Sequence, residues 1–136
     1  MKTAIGITSA SVGLMLAFLA FSFGFERAWL LAFGPRGIEA TNGSVGYFPA
    51  ALALFAVGAA LIVRGHGRDL AARRRRAGQA LLVAACAFVV SLAFRTVDIA
   101  FCGAWPVGTH FVWHTLNAVV LFILVGAAMR FRARAT

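Results

Sequence analysis

Four apolar runs alternate with short polar segments along the chain, at about residues 3–25, 45–63, 80–101 and 110–129. Each holds roughly 20 residues, which at 1.5 Å per residue matches the ~30 Å hydrocarbon core of a bilayer. The pattern predicts an all-α membrane protein, a single domain over residues 1–136 built as a bundle of four transmembrane helices. Glu26 and Arg27 mark the edge of the first span. The following "AWLLAFG" prolongs the helix or lies at the interface, where Trp29 suits the headgroup level, before Pro35 and Gly37 stop it. "PRGIEATNGS" is then the first outer loop. The second span opens with Tyr47 and Pro49, and a first-turn proline costs little because its missing donor has no helical partner anyway. "RGHGRDLAARRRRAGQ" reads as an inner loop, and "CGAWPVGT" turns the chain through its glycines and proline. The first run lacks an Ala-x-Ala cleavage site and is long enough to span, so it reads as a retained helix.

Composition agrees: 62% of the residues are apolar and the mean hydropathy is +0.89, well above soluble domains. The net charge of +9 is resolved by position. With a cytoplasmic N-terminus, Lys2, the loop arginines (Arg64, Arg68 and Arg73 to Arg76) and the tail (Arg130, Arg132 and Arg134) all fall inside. That places ten of thirteen basic residues on one side and leaves only Arg27 and Arg36 outside. The positive-inside bias therefore puts both termini in the cytoplasm. Attraction to anionic headgroups accounts for the arginine clusters, and nucleic acid is not an expected partner. The two cysteines, Cys86 and Cys102, are too few for a disulfide framework.

Within the fourth span, "GTHFVWHTLNAVV" carries His110, Trp113, His114 and Asn117 at steps of three and four, one stripe of a helix. The two imidazoles are roughly 6 Å apart along the axis and within reach of one metal ion, zinc being the usual occupant of such a pair. The alternative is interfacial or interhelical hydrogen bonding. In "FRTVDIAFC", Arg95 and Asp98 are three apart within a span, where ionisable groups are expensive. They either clamp the bundle as an ion pair on adjacent turns or serve a site. A short hairpin brings Asp98 to the depth of both histidines, as a metal or proton-transfer centre requires. Asp98 is then a ligand or orients a histidine from behind. His66, on the inner side, is about a bilayer thickness away. Haem is disfavoured, because two residues of one turn cannot take opposite axial positions.

The stretch "FRTVDIAFCGAWPVGTHFVWHTLNAVV", with "NGSVGYFPA" upstream, resembles alkaline ceramidases, especially their bacterial ceramidase-domain relatives, from about Asn42 to Met129. The resemblance implies the last four helices of a seven-helix membrane hydrolase, in a bacterial inner membrane, and zinc-dependent attack of water on the amide of ceramide. It makes His110 and His114 two zinc ligands, gives Asp98 structural support, and puts Cys102 where family members can form a disulfide. The family's third histidine and its serine and aspartate helpers belong to earlier helices that the four spans do not include. Three readings follow: a shortened member, a half that pairs with another polypeptide or itself to gain the missing helices, or a relative with a nonhydrolytic role. In the last, a nonenzymatic four-helix module binds lipid or assembles with partners, and Gly6, Gly13, Ala17, Ala50 and Gly58 let helices approach closely. A transporter fits less well, since Asp98 lies near an edge and has no second buried carboxylate.

Overall fold

In the computed structural model, residues 2–64, 68–102 and 108–133 are described, with side chains over 9–64, 70–102 and 108–131. The elements are α1 (Lys2–Ala40), one 3-10 turn (Ser44–Tyr47), α2 (Phe48–Val63), α3 (Arg68–Cys102) and α4 (His110–Ala133). Among the described residues, four helices are long and apolar enough to cross a membrane, as expected of a multi-pass membrane protein. The expectation for His66 lies outside the described residues.

Three boundaries differ from the sequence reading, each for a local reason. The first helix does not stop at Pro35. Gly34 adopts φ 64° and ψ −172°, which redirects the chain, and helix resumes to Ala40. Pro35 thus begins the second segment, where the absent N–H has no helical acceptor to miss. The outer loop shrinks to a tight turn in which Asn42 (φ 48°) and Gly43 (φ 69°) are successive left-handed residues, a conformation these two types tolerate best. In the third element, the arginine run is helical, because Arg, Ala and Gln favour helix whatever their charge. Its 35 residues reach about 50 Å, so α3 projects beyond a bilayer core at its arginine end. The fourth helix likewise runs to Ala133. Only the second span keeps its length, as the 3-10 turn plus α2.

Helix α3 is the centre of the bundle, packed against α2 on one side and α4 on the other. Its close approach to α2 is set by two glycines. A Cβ on Gly78 would meet the Gly58 carbonyl oxygen at 2.6 Å, and one on Gly58 would meet that of Gly78 at 3.1 Å. Small residues at such a crossing let backbones touch without a water-driven core. Ala84 and Ala85, fully buried, continue the same principle along α3. Helix α1 behaves differently. None of its residues from Ser9 to Ala40 is buried. Its contact with the bundle centres on Phe25 and Trp29 against the Phe48 ring, at 6.4 and 5.6 Å between centroids. Gly13, expected at a close packing point, faces open space, and Ala17 is exposed.

Candidate functional site

The turn before α4 does the positioning. Gly108 has φ 61° and is buried, and a Cβ there would meet Asp98 Oδ1 at 2.8 Å and Cys102 Sγ at 3.1 Å. Only glycine supplies both the left-handed backbone and the missing volume. The next residue, Thr109, donates its backbone N–H to Asp98 Oδ1 at 2.6 Å. Its hydroxyl stands 2.8 Å from the Phe94 carbonyl oxygen and 3.1 Å from Asp98 Oδ1. The first turn of α4 is therefore tied to the last turns of α3 by a carboxylate accepting from backbone, a strong charge-assisted contact.

That anchoring decides where the histidines go. His110 Nδ1 faces Asp98 Oδ2 at 3.6 Å, with 53% of the histidine side chain exposed against 13% of the aspartate. The opposite nitrogen of the same ring, Nε2, lies 3.1 Å from His114 Nε2. The contact is an N–H···N hydrogen bond between the two rings, and with that proton lost the spacing is close to the ~3.3 Å that two nitrogens at ~2.0–2.1 Å from one tetrahedral zinc would show. The rings meet nearly edge to face at 4.7 Å between centroids. Trp113 lies beside both, 5.1 Å from His110 and 4.2 Å from His114. One turn further, Asn117 lies 2.8 Å from the buried Ser91 hydroxyl, which donates to the Trp113 carbonyl oxygen at 3.1 Å.

Arg95 and Asp98 do not form the ion pair that their spacing allowed. Asp98 turns to Thr109 and His110, and the Arg95 guanidinium lies between the Trp113 ring (4.7 Å) and the Tyr47 ring (5.2 Å). Two aromatic faces give a cation an electrostatic partner where carboxylate is absent. The tight turn after α1 closes over this arginine. Asn42 Nδ2 donates to the Arg95 carbonyl oxygen at 2.9 Å, and Thr96 donates to the buried Ser44 hydroxyl at 3.0 Å. Arg95 Nε and Trp113 Nε1 remain buried donors without acceptors.

The structure thus gathers Arg95, Asp98, His110, Trp113, His114 and Asn117 at one end of α3 and α4. Cys102 is at the same end, exposed and unbridged. Among the described residues, no group of three or more His, Cys, Asp or Glu side chains is placed to hold a metal, so the histidines form a pair rather than a full ligand set. Sequence reasoning missed Gly108, Thr109, Ser91 and Tyr47. The "GT" before a helix was a readable turn and cap signal, whereas Ser91 and Tyr47 join the site only through tertiary packing. Comparisons with family models, curated proteins and solved structures give no match.

Proposed function

We propose that the chain contributes part of a zinc-dependent hydrolase of ceramide or a related long-chain N-acyl lipid, of the kind found in alkaline ceramidases. The observation that carries this reading is the pair of Nε2 atoms 3.1 Å apart, with Asp98 facing the far nitrogen of His110. A carboxylate behind a ligand histidine fixes its orientation and raises its basicity. A bound zinc would supply Lewis acidity and activate water for attack on the amide, releasing a fatty acid and a sphingoid base. His110 and His114 would hold the metal, while the remaining ligand and acid-base groups come from further helices of a partner or a second copy.

The chain's own residues suit a lipid beside that centre. Tyr47 and Asn117 stand at a cleft of about 510 Å³ that runs past Phe88, Leu54, Leu121 and Leu124, an apolar path sized for an acyl chain. The charge bias supports cytoplasmic termini.

The test uses membranes of cells that express the full chain, where a partner can supply the remaining groups, with ceramide and zinc added. Metal-dependent release of fatty acid, lost on chelation and in His110→Ala and His114→Ala, supports the proposal, and metal-free protein that hydrolyses ceramide contradicts it. A second reading, a nonenzymatic assembly or lipid-binding module, draws on α1, whose apolar surface is uncovered: Leu14 is 74% and Leu31 88% exposed. Intact ceramide, with complex formation that survives loss of both histidines, favours that second reading.

A further inference from the structure

At the opposite end of the same helix pair is a second feature that the histidine chemistry does not use. Phe122, Gly126 and Arg130 follow one another at steps of four along α4 and so share a face. That face opens toward Arg73 and Arg76 of α3 across a cleft of about 470 Å³. Three guanidinium groups border it, and among the described residues no carboxylate lines it. Arg73 is held in place, donating to the Phe131 carbonyl oxygen at 2.9 Å with its guanidinium 5.4 Å from that ring's centre. Its Nε is buried without an acceptor. Below the arginines the trough is apolar and empty of side chains. A Cβ on Gly126 would touch nothing within 4 Å, and Phe122, 80% exposed, forms one wall.

We infer that this cleft binds an anionic phospholipid, with the phosphate between Arg76 and Arg130 and one acyl chain along Gly126 and Phe122. Guanidinium groups match phosphate oxygens in charge and geometry. Basic pockets between spanning helices near a headgroup layer suit acidic lipids in particular. Polarity at one end only selects an amphiphile: a free phosphate would use the arginines and leave the trough unfilled. This inference rests on the helices crossing a membrane and is independent of any hydrolysis at the other end.

Native mass spectrometry of the full chain in mild detergent tests it, by titration with phosphatidylglycerol, with phosphatidylcholine of the same acyl chains, and with inorganic phosphate. Phosphatidylglycerol is expected to bind at least tenfold more tightly than phosphatidylcholine, and millimolar phosphate is expected not to displace it. Replacing both Arg76→Gln and Arg130→Gln removes that preference. Gly126→Leu, which favours helix and leaves every charge in place, weakens binding at least tenfold by filling the trough. The pair Arg64→Gln and Arg75→Gln, which removes equal charge elsewhere, leaves it intact. Equal binding of the two lipids, displacement by phosphate, wild-type affinity in Gly126→Leu, or equal loss in the control pair overturns the site.

Discussion

The two ends of the α3–α4 pair are made from the same helices and treat charge in opposite ways. At the histidine end, Asp98 accepts from Thr109 and faces His110, and Arg95 lies between two aromatic rings. The polar groups there are organised mainly by other groups of the chain. At the other end, Arg73, Arg76 and Arg130 surround a cleft lined, among the described residues, by no acidic side chain. At the edge of a bilayer a charge is balanced by other groups of the protein or by the headgroups and water around it. The first end takes the former route, which ties its side chains to fixed partners and suits a ligand-holding centre. The second leaves its balance to the lipid phase, which suits attachment.

The largest difference between the two ends is expected on substitution of Asp98. Asp98→Asn removes the charge behind His110 and weakens the acceptor for Thr109, so zinc affinity is expected to fall about 10–100-fold, while phosphatidylglycerol binding at the arginine end is unchanged. Metal-buffer titration and lipid titration on the same preparation read both. A parallel loss at both ends would show that the two are one cooperative unit.

A smaller effect is expected from Gly108→Ala, which forces a side chain into the left-handed region and against Asp98 and Cys102. The expected cost is about 1–3 kcal/mol, read as a lowered Tm in detergent, with zinc affinity reduced because α4 begins from a shifted turn. Smallest is Ser91→Ala. Losing one interhelical hydroxyl in a spanning bundle costs about 0.6–1 kcal/mol. Reversible denaturation would measure it, and a change above about 3 kcal/mol would mean that Ser91 holds more than Trp113 and Asn117.

Much of the architecture is legible from hydropathy, because a bilayer imposes length and apolarity on every span and leaves few alternatives. Charged or proline-bearing segments mislead for the opposite reason. The arginine run looks like a loop by polarity but has strong helix formers, and Pro35 looks like a stop although Gly34 makes it a start. The stripe of His110, Trp113, His114 and Asn117 follows from helical periodicity alone. Its partners do not. Whether Asp98 turns to Arg95 or to Thr109 depends on the backbone at Gly108, and the seating of Arg95 depends on Tyr47, 48 positions earlier in the chain. The Gly58–Gly78 contact was half visible, since Gly58 was expected to pack closely but its opposite number lay in a segment read as loop.

The zinc content of the full chain, purified in mild detergent, equilibrated with zinc and freed of excess metal, reports most directly whether the histidine pair holds a metal. Wild-type protein is expected to retain between about one zinc per two chains and one per chain, with nitrogen ligands at ~2.0–2.1 Å by X-ray absorption. His110→Ala and His114→Ala are each expected to lose that metal, while the paired Arg76→Gln and Arg130→Gln substitutions keep it. Zinc retained undiminished after both histidines are removed, or none retained by the wild type, would contradict the account.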